Sequence, residues 1–286
     1  MVIAGIVLYN PNINRLIENV KAIEKQVKMV LLVDNGSNNI DLVYSAFRRD
    51  NSIMIICNGK NLGIARALNI IMDYGEKKGA EWVLTLDQDS VCPPQIVSEL
   101  LNYSYLPRIG IICPLIKDRS FGILDKSQEK YIYVDTCITS ASLTNVVAWK
   151  EVKGFDDTMF IDGVDTDFCY SLKKNGYKII QVRDVELLHE IGYNSKIVDF
   201  LGHKQVVFNH SAFRYYHICR NIIYKQRKHR KYLPSPYRGL ITVLYRWLLI
   251  ILYESDKVNK TKAIYKGLID GFRMDINYNN YIKEDI

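Results

Sequence analysis

No run in this chain of 286 residues reaches the roughly 20 consecutive apolar residues that a helix needs to cross a bilayer. The longest apolar stretch, 240–253, is shorter and carries Arg246 in its middle, so it reads as interfacial rather than spanning. The six cysteines (Cys57, Cys92, Cys113, Cys137, Cys169, Cys219) form no CxxC pair, and several sit in apolar runs. They are expected to be reduced thiols of a cytosolic protein, with neither a disulfide nor a metal role. Residues 1–8 lack the basic flank and small-residue cleavage site of a signal peptide and read as a first strand. There is no internal repeat and no low-complexity tract, and 48% hydrophobic with 24% charged residues excludes disorder. Acid is missing from one region altogether: residues 201–253 hold ten Lys/Arg and no Asp/Glu, whereas residues 1–200 hold 22 against 25 and residues 254–286 hold six against six. The whole net charge of +7 therefore originates in one segment.

Short β-branched runs at 2–9, 29–34, 52–57, 82–87 and 109–113 alternate with helical periodicity over 12–26, 40–49, 62–78 and 94–103. The third helix shows the period best, with Leu62, Ala65, Leu68, Asn69 and Met72 recurring three and four apart. This is the pattern of βαβ units around a largely parallel sheet, an α/β fold. Residues 117–130 are polar and read as a loop, followed by a strand at 131–134 and a turn opening at Gly154-Phe155-Asp156-Asp157. A helix over about 165–174 should end at Gly176 in a left-handed cap, with a strand at 177–182 beyond it. From about 197 the chain reads as mostly helical, basic and rich in tyrosine. The expected organisation is a catalytic domain over 1–200 and a helical region over 201–286.

Chemistry-bearing residues cluster at the expected strand ends. Asp87-Gln88-Asp89-Ser90 closes the apolar run 82–86, and period-two alternation puts both carboxylates on one face, a place to hold a hard cation. Ligands of open α/β sheets sit at carboxyl ends of strands, which points to a metal-bound nucleotide phosphate. Tyr9-Asn10-Pro11, Asp34-Asn35-Gly36-Ser37 and Asn58-Gly59-Lys60-Asn61-Leu62-Gly63 follow the first three strands. Each has a bland reading as well: the second as a plain turn, and Asn61 with Gly63 as a cap and tight entry to a helix. Asp162, Asp165 and Asp167 fall within six residues, and any of them could be a first-turn acid favoured by a helix dipole. His189 follows the last core strand, where a lone histidine is more often structural. The basic segment fits a solvated face, a nucleic-acid groove with Tyr215, Tyr216, Tyr224 and Tyr232 as stacking platforms, or a surface for anionic lipid and a lipid-diphosphate acceptor; the last is favoured and no nucleic-acid partner is expected.

The order of these pieces, together with Phe160-Ile161-Asp162-Gly163-Val164-Asp165-Thr166-Asp167 and Arg214-Tyr215-Tyr216-His217-Ile218-Cys219-Arg220-Asn221, resembles the family 2 glycosyltransferases and their nucleotide-diphospho-sugar-binding GT-A fold. Within that family it is most similar to bacterial rhamnosyltransferases of O-antigen and related polysaccharide assembly, and the resemblance covers about residues 2–225. It implies a donor site of Tyr9, Asn10, Asp34 against the pyrimidine base, Asn61 and Gly63 near the nucleotide, and Asp87, Gln88 and Asp89 around ribose, diphosphate and metal. Asp165 matches the catalytic base; Val164 stands where the family usually has the first of two acids, a variation related rhamnosyltransferases share. Asp162, Arg214, Tyr215, Arg220 and Asn221 are assigned to the acceptor and its diphosphate, and His189 to the metal shell beside Asp87 and Asp89, with Mg²⁺ or Mn²⁺ as cofactor.

The implied reaction is inverting transfer of L-rhamnose from dTDP-β-L-rhamnose to a lipid-linked saccharide, by a cytoplasmic protein peripheral on the inner face of the membrane. A single base opposite the leaving group suits in-line displacement with inversion. The rival donor is UDP-galactofuranose or another UDP-sugar. A nucleotidyltransferase would need a glycine-rich basic loop where Tyr9-Asn10-Pro11 stands, and a non-enzymatic lipid or nucleic-acid binder would not need the paired acids.

Overall fold

In the computed structural model, residues 1–276 are described apart from 49, 119–128, 190–195, 201, 234 and 236, together with the backbone but not the side chains of Lys117, Asp118, Leu188 and His189. The chain divides into two compact units: one of Met1–Thr158 and Val164–His189, the other of Met159–Gly163 and the described residues after 195.

The first unit runs β1 (Val2–Leu8), α1 (Ile13–Ile23), β2 (Val30–Asp34), α2 (Ile40–Phe47), β3 (Ile53–Cys57), α3 (Ile64–Lys77), β4 (Trp82–Asp87), α4 (Ile96–Leu101), β5 (Ile109–Asp118), β6 (Tyr131–Tyr133), β7 (Ser142–Asn145), α5 (Val146–Glu151), α6 (Val164–Lys174) and β8 (Lys178–His189). Its strands form one sheet in the order β3-β2-β1-β4-β7-β5-β8-β6. Neighbours from β3 to β4 are parallel, β7 runs against both β4 and β5, β8 is parallel to β5, and β6 runs against β8. Because helices cover a mostly parallel sheet, its central strands read as unbroken apolar runs rather than alternating ones, and β2 is buried at every residue. Helix α3 approaches β1 so closely that a Cβ on Gly5 would lie 2.1 Å from Ile71 Cγ2.

The first four strands and helices fall where the sequence pattern puts them, within about two residues at each end. Helix α3 begins only at Ile64, because Gly63 holds φ +87 and cannot be helical. Three strands of the first unit differ from expectation, and α5 was not expected. Strand β7 is hidden in the sequence because Ser142 and Thr144 are buried hydroxyls, not apolar residues, and Ser142 Oγ is satisfied by the Ile138 carbonyl at 2.6 Å. Strand β8 continues past Val182 to His189, where Val185 and Leu187 point inward between charged neighbours. Its partner β5 takes in Lys117 and Asp118, assigned to a loop from sequence; residues 119–128 of that expected loop lie outside the described residues.

The connection from α5 to α6 hangs on one buried amide. Asn69 of α3 donates to Phe155 O (2.8 Å) and Asp157 Oδ1 (2.7 Å), while its Oδ1 accepts from Trp149 Nε1 (3.0 Å) and Phe155 N–H (2.8 Å). All its hydrogen-bonding capacity is used, and Arg66 adds an ion pair to Asp157 at 3.2 Å. Burial nevertheless pushes the Asp157 carboxyl up from its ordinary value, outweighing Asn69 and Arg66.

The second unit holds a hairpin of β9 (Lys196–Phe200) and β10 (His203–Val207), then α7 (Ala212–Lys228), α8 (Arg238–Tyr253) and α9 (Lys257–Arg273). The hairpin stands where helix was expected from about 197; its half-exposed strands carry little apolar patterning. Helices α7 and α9 pack backbone to backbone at Gly267 and Gly271, where a Cβ would lie 2.5 Å from Tyr216 O and 2.6 Å from Arg220 O. At the far side of α7, His217 stacks on Phe160 at 5.2 Å and meets Phe213 edge-on at 4.6 Å. Its Nδ1 is buried without a hydrogen-bond partner.

Asn69→Ala is expected to lower unfolding stability by about 2–4 kcal/mol, since buried donors and acceptors lose their partners; denaturant melts of the two proteins check this. Burial, reinforced by the Arg220 charge, pulls His217 from its ordinary 6.5 to about 4. The unfolded chain therefore binds more protons across that window, and stability should fall as pH drops from 6.5 towards about 4. His217→Phe should flatten that part of a stability-against-pH profile.

Candidate active site

Strand order reverses between β1 and β4: the chain leaves β1 towards β2 and β3 on one side and returns to β4 on the other. At such a switch point the flanking loops part and leave a crevice at the carboxyl ends of the strands. Gln88 straddles it, accepting from Tyr9 N–H at 2.9 Å and donating to Tyr9 O at 3.3 Å. Strand β4 ends at Asp87, and Ser90 N–H donates to the Asp87 carbonyl at 3.2 Å to close a tight turn. The two acids are thus presented by a turn, with Asp87 half-buried and Asp89 exposed, and not by the continued strand alternation expected from the sequence. Asn19 of α1 donates to the Asp87 carbonyl at 2.8 Å, and Ser140 Oγ accepts from Asp87 N–H at 3.4 Å and contacts Ser90 Oγ at 2.8 Å.

Side-chain bonds tie the ends of β1, β2 and β3 into the same rim. Asp34 is buried, and its carboxylate accepts from Gly36 N–H (3.0 Å) and Ser37 N–H (3.1 Å), folding its own turn. Ser37 Oγ accepts from Asn10 N–H at 2.8 Å, and Asn10 Oδ1 accepts from Asn38 N–H at 2.8 Å. The centre is Asn35, which donates to Asn61 Oδ1 (2.9 Å) and Gly63 O (3.2 Å) and accepts from Leu62 N–H (3.0 Å) and Asn58 Nδ2 (3.2 Å). Asn61 Oδ1 also accepts from Gly63 N–H at 2.9 Å. Tyr9, Asn10, Asp34, Asn61, Gly63, Asp87, Gln88 and Asp89 are accordingly brought to one rim. Asn35 was not among the expected site residues; an asparagine directly after a buried strand, in a loop crowded with amides, is the signal that points to it.

Asp165 lies in the first turn of α6, half-buried, with Oδ1 accepting from Thr166 N–H at 2.7 Å. A helix N-terminus favours negative charge there. Asp167 is buried. Phe168 packs on Phe155 with ring centroids 4.1 Å apart, and Cys169 Sγ lies 3.9 Å from Cys137 Sγ. Residues 137–140 therefore touch α6 at one end and, through Ser140, the Asp87 turn at the other. A hydrogen bond with Cys113 and burial push the Cys137 thiol well up, and a hydrogen bond with Cys137 and burial do the same for Cys169, so both are packing groups rather than nucleophiles.

The residues assigned to the acceptor belong to the second unit. Arg214 forks onto Asp162, with Nε 3.1 Å from Oδ2 and Nη2 3.0 Å from Oδ1. Asn221 donates to the carbonyls of Ile161 and Asp162, both at 2.8 Å, and Arg220 Nε donates to Asn221 Oδ1 at 2.9 Å. These three side chains hold Asp162 and Gly163 in consecutive left-handed conformations (φ +66 and +83) immediately before α6. Tyr215 is interior; its hydroxyl donates to Glu254, itself in a buried ion pair with Lys260 at 2.8 Å, and burial followed by the Glu254 bond raises its pKa.

Among the described residues, no three His, Cys, Asp or Glu side chains gather closely enough to hold an ion. Asp87 and Asp89 are nonetheless hard oxygen donors at an open rim, which suits a divalent ion that takes most of its remaining ligands from substrate phosphates and water. His189 sits at the end of β8 opposite Asp118, on the strand-end side of the sheet that Asp87 occupies; its side chain lies outside the described residues.

A crevice at a Rossmann-like switch point, rimmed by amides and two acids, is the frame of a nucleotide-handling α/β domain. The crystal structure of GalNAc-T7 with UDP, GalNAc and Mn²⁺ shares the fold, with a TM-score of 0.61 and 14% identity over 79% of this chain; the chain spans 47% of that structure's length. The profile described as "Glycosyl transferase family 2" matches residues 4–170, and the chain belongs to that family: it is a glycosyltransferase with a GT-A core. It is 28% identical over 286 positions, 94% of this chain and 95% of the relative, to the dTDP-rhamnosyl transferase RfbF of Shigella flexneri. It is 23% identical over 227 positions, 65% of this chain and 74% of the relative, to the N-acetylglucosaminyl-diphospho-decaprenol L-rhamnosyltransferase of Mycobacterium tuberculosis.

Gly36 holds φ +84, and a Cβ there would lie 2.7 Å from the Lys60 carbonyl carbon. Gly36→Ala should cost about 1–3 kcal/mol of stability and loosen the rim. Titration calorimetry with a nucleoside diphosphate is expected to show weaker binding by about tenfold or more, since a site this dependent on position tolerates little displacement.

Proposed function

We propose that this glycosyltransferase moves L-rhamnose from dTDP-β-L-rhamnose onto a hydroxyl of a lipid-linked saccharide, giving an α-L-rhamnoside and dTDP, in the assembly of a cell-surface polysaccharide. The observation that carries the reading is the pairing of one rim, Asp87 and Asp89 at the switch point, with one carboxylate, Asp165, at the start of α6. The likeness to two rhamnosyltransferases over most or much of the chain supports the choice of sugar, and the diphospho-lipid acceptor named for the mycobacterial relative supports the choice of acceptor. The protein works at the inner face of the cell membrane as a peripheral protein; no helix among the described residues is long and apolar enough to cross one.

Each group then has a task. The Asp34 turn and the Asn35–Asn61–Gly63 knot shape the loops that receive the pyrimidine nucleoside. Asp87 and Asp89 would hold Mg²⁺ or Mn²⁺, with His189 as a third ligand, and the ion would supply charge neutralisation for the departing diphosphate. Gln88 and Ser140 fix the turn that aims the two acids. The acceptor hydroxyl is a weak nucleophile until it loses its proton, and the Asp165 carboxylate takes it as the oxygen bonds to the anomeric carbon. The bond from that carbon to the phosphate oxygen breaks at the opposite face, its electron pair leaves with dTDP, and the configuration inverts. Arg214, Arg220 and Asn221 hold Asp162 and Gly163 within the second unit.

A panel of nucleotide sugars, including dTDP-β-L-rhamnose and UDP-galactofuranose, assayed with Mg²⁺ or Mn²⁺ tests the donor; the rhamnosyl donor should be the one consumed. Asp165→Asn should bind that donor as the parent does while turnover drops by roughly 10²–10⁴-fold. Transfer at the parent rate would remove Asp165 from the mechanism.

A further inference from the structure

Helix α8 is polarised inside out. Over 16 residues it turns Leu240, Ile241, Leu244, Trp247, Leu248 and Leu252 outward, 62% exposed at Ile241, 52% at Leu244 and 49% at Leu252. At helical spacing these positions span an arc of about 140°, and Arg238 is the charged residue at its edge. The opposite half, packed in the second unit, carries Gly239, Val243 and Ile250, and with them Arg246, whose Nε is buried without a hydrogen-bond partner. A helix with water outside would place its arginine there and its leucines within. Tyr237, just before the helix, and Tyr245, at the edge of the apolar arc, are exposed and add the amphipathic rings that favour a headgroup layer.

We propose that this face of α8 lies in the plane of an anionic lipid bilayer and is the surface by which the protein docks on the membrane. Three observations choose a bilayer over a second copy of the chain. The apolar arc covers more than a third of the helix circumference, broader than the two-position seam of a helix pair. Exposed cations stand at both of its ends, Arg230, Lys231 and Arg238 before and at the start of α8 and Lys257 shortly after it, which suit acidic headgroups and would repel a twin. And at 16 residues the helix is about 24 Å long, too short to span but long enough to lie along an interface. The inference rests on the proposed lipid-linked acceptor for its purpose, since docking would confine the enzyme to the layer that holds that substrate.

Flotation with vesicles of phosphatidylcholine, alone or mixed with phosphatidylglycerol, tests it on the full chain. The parent protein should bind the mixed vesicles, bind the neutral ones weakly, and release as salt is raised. The double variant Leu244→Glu/Leu248→Glu should lose vesicle affinity by about tenfold or more, because both substitutions put charge where acyl chains are met. Val147→Glu, at an exposed apolar position on α5 in the first unit, should not. Thermal melts confirm that each variant folds, and rhamnosyl transfer to a soluble acceptor analogue should be unchanged. Equal vesicle binding by parent and double variant, or a parent dimer that the double variant splits, would overturn the docking surface while leaving the transfer reaction standing. Loss of soluble-acceptor transfer in the parent would overturn the reaction while leaving the docking surface standing.

Discussion

The amide of Asn35 is the bond on which the donor side depends. Parallel strands deliver their carboxyl ends to one edge, and the loops leaving them carry backbone donors and acceptors that must be met once water is excluded. Asn35 meets two such needs, at Leu62 N–H and Gly63 O, and bonds the side-chain amides of Asn58 and Asn61 as well, joining the loop after β2 to the loop after β3, while Ser37 joins it to the loop after β1 and Gln88 joins β1 to β4. The loops around the crevice are cross-linked by side-chain bonds without any ligand. Its acids need not be moved into place, and preorganised charge is what a reaction with a departing diphosphate demands.

The reaction side is built differently. Asp165 owes its position to the start of α6, and α6 is placed within the first unit by Phe168 on Phe155 and Cys169 beside Cys137. In the second unit, Arg214 and Asn221 pin the left-handed Asp162–Gly163 pair that precedes α6 in the chain. Two successive residues at positive φ, one of them not glycine, persist only where surroundings enforce them, and they stand immediately before the helix that carries the carboxylate proposed as base. Residues 137–140 link that helix to the Asp87 turn through backbone and small side chains. Donor acids and base are thereby referenced to the same short segment.

Much of this is legible in the sequence, for physical reasons. Strands β1, β2 and β4 are buried on both faces, so they appear as uninterrupted apolar runs, and the residues that follow them are conspicuous because nothing else polar is nearby. What is not legible depends on partners distant along the chain. Strand β7 buries hydroxyls that pass for loop residues. The pairing of Arg214 with Asp162 cannot be read from a basic segment that looks like a phosphate-binding surface. Tyr215, equally at home on a surface or in a core, is committed to the core by Glu254 and Lys260. Period-two alternation brings both Asp87 and Asp89 to attention, yet it is the turn closed by Ser90, not the strand, that presents them.

The most direct measurement is amide hydrogen exchange with and without a nucleoside diphosphate and Mn²⁺. The account predicts that ligand slows exchange at the four strand-end segments 9–10, 34–38, 58–63 and 87–90, and that it leaves α8 and α9 unchanged. Protection concentrated elsewhere, with those four segments unaffected, would contradict it.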